Sequence, residues 1–128
     1  MARATGIGGV FFRSRDPEAL YRWYEQHLGV TREPGDGVTF HWECPGETVW
    51  GIFPDDTTYF GPSRQSFMIN FRVDNLDELL AALTTNGVEV NPRREEYPYG
   101  KFGWIVDPDG NRVELWEPTI GVPAPSPD

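Results

Sequence analysis

Disulfides, histidine and basic charge are all scarce in this chain, and each scarcity narrows what it can be. Among 128 residues there is one cysteine, Cys44, so no internal disulfide can form. A lone thiol fits a reducing cytoplasm. Eleven basic residues face twenty acidic ones, for a formal net charge of −9. Such a surface repels phosphate backbones, which removes nucleic acid as an expected partner. It could attract a cationic small molecule, or serve only solubility. No apolar stretch is long enough to cross a bilayer, so no membrane partner is expected. Met1 to Gly6 lack the basic-then-apolar pattern of a secretory signal, and the expected location is the cytoplasm.

Aromatic residues, by contrast, are plentiful: 14% of the chain, with five tryptophans. Most must fill the core of so small a protein, since each ring buries a large area. A surplus could line a ligand pocket. At 38% hydrophobic and 24% charged, the composition is that of a globular domain, and the length suits one domain over 1–128.

The chain repeats itself. VFFRSRDPEAL at 10–20 answers INFRVDNLDEL at 69–79. Each is a short strand-like run that leads into a helical pattern. Asp16 is a good N-cap with Pro17 at the first helical position, and Asn75 with Glu78 three residues on forms a capping-box pattern. Helical spacing puts Leu20, Trp23, Tyr24 and Leu28 on one face, with Gly29 as a stop. Leu76, Leu79, Leu80 and Leu83 do the same before Gly87. GVTREP at 29–34 then matches GVEVNP at 87–92, and FHWECPGETVWGIFP at 40–54 matches GWIVDPDGNRVELWEP at 103–118, each a hairpin around a proline–glycine turn.

Each half therefore reads strand, helix, strand, strand, strand. The expectation is an α+β fold of two βαβββ modules, whose paired copies form a curled mixed-sheet cleft. Module one covers about 7–54, a polar linker about 55–65, module two about 66–118, and a disordered tail 119–128. The run Arg93 to Glu96 reads as an ordinary connecting loop, although Tyr97, Tyr99, Gly100 and Gly103 could make a mobile flap.

The DPEAL helix start, the following WYxxHLG and the closing DPDGNRVELWE at 107–117 resemble the vicinal oxygen chelate superfamily. This group includes glyoxalase I, extradiol dioxygenases and bleomycin-binding proteins. The resemblance spans about residues 7 to 118 and implies the same two-module fold and a homodimer, for which exposed sheet edges give a physical reason. It also implies metal ligands at four equivalent positions, which here hold Gly9, Trp50, Met68 and Glu114. Only Glu114 can ligate a hard divalent ion, and about three protein donors are needed. No cofactor is therefore expected. The alternative is a rebuilt divalent site of His41, Glu43 and Glu114.

Strand alternation sorts the remaining side chains, because every second residue faces the same way. Phe11, Arg13, His41, Trp50, Ile52, Met68, Asn70, Arg72, Phe102, Trp104 and Trp116 are expected to line the cleft around Glu114. The out-of-phase set, including Val10, Phe12, Phe71, Val113 and Leu115, is expected beneath the helices. Arg13 and Arg72 are equivalent by the repeat. They could form a salt-bridge cluster with Glu114, or a clamp for an anionic ligand between aromatic walls. The expected function is a metal-free binder of an aromatic or carboxylate-bearing small molecule. One alternative is a divergent metal-dependent lyase, isomerase or dioxygenase with Glu114 as general base beside His41. Another is an interaction module whose cleft is plugged by its own tryptophans.

Overall fold

In a computed structural model of the chain, the structure describes residues 2–3, 7–32, 37–42, 45–62 and 65–120. Glu43 of the alternative metal set and residues 121–128 of the expected tail lie outside them.

Helix α1 spans Pro17–Leu28 and helix α2 spans Leu76–Thr85. Both begin where the capping residues predict. The Asp16 carboxylate accepts from the Ala19 amide at 3.1 Å, and the Asn75 side chain accepts from the Glu78 amide at 3.1 Å. The capping box of α2 is altered, because Glu78 takes a hydrogen bond from the Asn75 side-chain amide. A second free amide, that of Leu76, donates to Glu117 at 2.8 Å. Gly29, at φ 68°, ends α1 in the left-handed conformation that glycine adopts without a steric penalty.

Five strands form one mixed sheet: β1 Ile69–Arg72, β2 Glu89–Val90, β3 Glu95–Tyr97, β4 Gly100–Val106 and β5 Arg112–Pro118. The order is β1-β5-β4-β2, with β3 also paired to β4. β1 runs parallel to β5, and the other pairs are antiparallel. The class is α+β. Glu95 and Glu96, expected in a plain loop, belong to a strand instead. The turn from Tyr97 to Gly100 folds β3 back on β4, and Tyr97 stacks on Tyr99 at 5.2 Å.

One face of the sheet carries the core. Ile105, Val113 and Leu115 are buried against Leu76, Leu80 and Leu83 of α2 and Leu20 and Tyr24 of α1. Each such aliphatic burial stabilises by roughly 1.5–3 kcal/mol. The Tyr24 hydroxyl also donates to Asp107 at 2.8 Å, across 83 residues of sequence. Asp107 accepts the amides of Asp109 and Asn111 as well, so one carboxylate both ties the DPDGN turn and docks the first helix. Burial first, and then the Asp107 charge, push the Tyr24 hydroxyl far above the ordinary tyrosine range, so it remains a donor.

Among the described residues all five strands come from the second half, and the sheet is not curled around a cleft. Among the described residues, 7–13 and 37–54 run without strand pairing. The physical reason is where α1 went. A first-half sheet would need α1 to cover its apolar face, and α1 packs on the second-half sheet through Leu20, Tyr24 and Asp107. Phe12 and Val10, expected beneath a helix, are exposed, and Phe11 and Trp42 are 95% and 98% exposed. No helix among the described residues is long and apolar enough to cross a membrane.

Candidate functional site

The sheet face opposite the helices gathers the chemistry, by the two-residue period of its strands. The register sets Asn70, Glu114 and Trp104 in one row across β1, β5 and β4. The next row is Arg72, Trp116, Phe102 and Glu95. Met68 immediately precedes β1 and is half-buried. Phe102 and Trp116 stack with centroids 6.0 Å apart and planes within 4°. Trp116 donates its indole N–H to the Tyr99 carbonyl at 3.3 Å.

Glu114 is the centre of the first row. Its carboxylate is buried and accepts three hydrogen bonds: from Asn70 Nδ2 at 2.7 Å, Trp104 Nε1 at 2.9 Å and the Tyr59 hydroxyl at 2.5 Å. All three donors are neutral. Burial, followed by the hydrogen bond to Glu114 and its negative charge, pushes the Tyr59 hydroxyl far above its ordinary range. Tyr59 therefore donates and does not serve as a base. The expected ion cluster of Glu114 with Arg13 and Arg72 is not formed. Arg72 donates to the Glu47 carbonyl at 2.8 Å, and Arg13 is exposed. The neutral donors already occupy the carboxylate oxygens that the arginines would need.

The linker supplies Tyr59, and sequence reasoning passed over it. Residues 54–62 lie across the open face as a strap. Phe53 stacks on Tyr59 at 5.4 Å, and Tyr59 meets Trp104 edge-on at 6.0 Å. Arg112 was also missed. Its guanidinium lies over the Trp104 ring, 5.3 Å from the centroid. A signal was present in both cases. Tyr59–Phe60 is an aromatic pair in an otherwise polar linker, and Arg112 stands two residues before Glu114 on one strand.

The first-half members of the expected pocket are elsewhere. Phe11, Arg13, His41, Trp50 and Ile52 are all exposed, so the first-half wall around Glu114 is open to solvent. The cause is again the commitment of α1 to the second-half sheet. Among the described residues no group of three or more histidine, cysteine, aspartate or glutamate side chains is placed to share an ion. His41 is exposed while Glu114 is buried, and Glu43 is outside the described residues.

Two cavities adjoin this surface. One, of about 310 Å3, lies between the strap and the sheet, among Thr58, Tyr59, Arg93, Glu95, Trp104 and Arg112. The other, of about 190 Å3, lies at the start of α2, where Asp77 already holds both cations, Arg94 at 3.1 Å and Lys101 at 3.3 Å.

A family model described as the glyoxalase/bleomycin resistance protein/dioxygenase superfamily matches residues 6–115. Among solved structures, a glyoxylase/bleomycin resistance protein/dioxygenase domain from Frankia sp. EAN1pec is similar with a TM-score of 0.57. Its identity is 21%, over 94% of this chain and 96% of that one. A lactoylglutathione lyase from Agrobacterium tumefaciens is similar with a TM-score of 0.55 and 22% identity, over 91% of this chain and 96% of that one. A member of the same superfamily from Sphaerobacter thermophilus DSM 20745 gives a TM-score of 0.50 at 22% identity, over 81% and 90%. These likenesses concern the fold. No curated protein matches the chain.

Proposed function

Because the chain belongs to the glyoxalase/bleomycin resistance protein/dioxygenase superfamily, we propose that it binds a small molecule without that family's usual divalent metal. One observation carries this reading: both Glu114 oxygens are engaged by neutral donors, Tyr59, Asn70 and Trp104. Three of the carboxylate's roughly four acceptor sites are thus taken, and a metal would need about two further protein donors. The equivalent positions offer Gly9, Trp50 and Met68. This donor set does not fit a hard divalent ion.

The ligand is aromatic or carboxylate-bearing. Phe102, Trp104 and Trp116 supply ring surface, and arginines supply the counter-charge. Metal analysis and a thermal-shift screen on one sample of the purified protein test the reading together. Metal-poor protein stabilised by aromatic acids is the expected result. Stoichiometric zinc, iron, manganese or nickel would sink it.

A second reading, a divergent lyase, isomerase or dioxygenase, draws on the buried Glu114 carboxylate and its hydrogen bond from the Tyr59 hydroxyl. There Glu114 would act as general base once a substrate displaced the Tyr59 hydroxyl; His41, its expected companion, is exposed while Glu114 is buried. Bound metal that disappears in Glu114→Ala would favour it. The exposed rings of the first half, Phe11, Trp42 and Trp50, support a homodimer in which a second copy covers them. A solution mass of one 14.6 kDa chain would remove that assignment. The acidic surface and single cysteine support a cytoplasmic protein with no nucleic-acid partner.

A further inference from the structure

We propose that the 310 Å3 cavity between the strap and the β4–β5 surface is an anion site, in which Arg112 holds the carboxylate of a one-ring aromatic acid. This rests on the ligand-binding reading above, and adds to it the residue that recognises the charged group. Arg112 replaces the Arg13–Arg72 pair in that role.

Charge comes first. Two cations and one carboxylate line the cavity. Arg93 and Glu95 neutralise each other in an ion pair at 2.7 Å. Arg112 remains, and among the described residues it has no acidic partner. Its Nε is buried without any hydrogen-bond acceptor. A guanidinium is always charged and carries five donors; with Nε buried, the two Nη atoms are the ones that reach the cavity, and among the described residues no acceptor takes their N–H groups. A carboxylate meeting the planar fork with both oxygens supplies those acceptors. The net charge of −9 would by itself favour a cationic ligand, but contacts inside the cavity decide specificity.

Orientation comes next. One face of the guanidinium lies on Trp104. One side is closed by the strap at Gly61, where an added Cβ would stand 2.7 Å from Nη1 and 2.9 Å from Cδ. Gly61 also adopts φ 68°, which side-chain-bearing residues rarely take. Backbone and indole thus hold the fork in one attitude before any ligand arrives, which lowers the ordering cost of binding. Size sets the rest. Ligand cavities run from about 300 to about 1,000 Å3, so this one takes a small ring and not a polycycle. Tyr59 and Trp104, crossing at 89°, provide its apolar walls.

The test is calorimetric titration of the full chain with benzoate, benzamide and benzylamine. Benzoate should bind, and the neutral and cationic probes should bind at least about tenfold more weakly. Arg112→Leu should weaken benzoate at least about tenfold, Arg112→Lys should lose less, and Arg22→Leu on the exposed side of α1 should change nothing. The 15N resonance of Arg112 Nε in the unaltered protein should also shift with benzoate, which keeps the test open if Arg112→Leu fails to fold. Benzoate binding that survives Arg112→Leu, or an Nε resonance that stays put, overturns this site and leaves the ligand-binding reading standing. Loss with Arg72→Leu and none with Arg112→Leu returns the clamp to Arg72. No binding by any of the three probes also overturns this site, while the ligand-binding reading is decided separately by the thermal-shift screen and metal analysis.

Discussion

The two halves of this chain share a sequence pattern and part ways in structure. INFRVDNLDEL and the hairpin after it become β1, α2, β4 and β5, with Leu80, Ile105 and Leu115 completely buried. VFFRSRDPEAL and its hairpin give one helix and, among the described residues, no paired strand, and Phe11, Trp42 and Trp50 stand in solvent. Strand propensity is comparable in both, since each is rich in valine, isoleucine and aromatics. The difference is cover. The second half has two helices on its sheet, because Tyr24 and Leu20 of the first helix join that core. A strand is stabilised by what packs on its face, and propensity alone does not hold it.

Mutations that probe each half separately give the sharpest test of this contrast. The largest effect is expected for Leu80→Ala, which should cost about 2–5 kcal/mol in denaturant unfolding. Its counterpart Phe11→Ala should stay within about 0.5 kcal/mol if the isolated chain is the unit measured. A larger loss at Phe11 that grows with protein concentration would mean that a second copy covers the first half. Alkali comes next. Tyr24 and Tyr59 both keep their protons to higher pH in the folded state than in the unfolded chain. The stability they lend is complete below the unfolded tyrosine value of about 10. It falls as pH rises above that, by up to about 1.4 kcal/mol per pH unit for each group. Urea midpoints measured from pH 7 to 11 should be flat and then decline, and a steady rise would contradict the buried hydrogen bonds.

Smaller effects separate the docking of α1 from its formation. Tyr24→Phe removes the hydroxyl that reaches Asp107 and should cost about 1–3 kcal/mol, since a buried acceptor loses a partner. Hydrogen exchange should then accelerate in α1 and in the DPDGN turn together. Asp16→Ala removes only the cap and should cost about 1 kcal/mol, with α1 fraying from its first turn. If Asp16→Ala cost more than Tyr24→Phe, local helix formation and not the long-range contact would dominate the first half.

Much of the second half was legible before any coordinates. Capping residues marked both helix starts, and alternation put Asn70, Glu114 and Trp104 on one face with Val113 and Leu115 on the other. The partners of Glu114 were less accessible. Arginine is the obvious companion for a buried carboxylate, but Tyr59 arrives from a linker 55 residues away. No periodicity reports on such a contact, because the linker has none. Arg112 was readable by the same alternation that placed Glu114, two residues on along one strand.

By itself the sequence determined the repeat, the α+β class, the two amphipathic helices and the facing of each strand. Those depend on neighbours along the chain, through spacing, capping and turn residues. Tertiary structure decided that α1 would cover the second-half sheet, that three neutral groups would surround Glu114, and that the strap would pass Arg112 at a glycine, where a side chain would collide with it. These outcomes turn on competition between distant surfaces for the same apolar and polar partners. The free energy of that competition is carried by burial and hydrogen bonding, which no local pattern records.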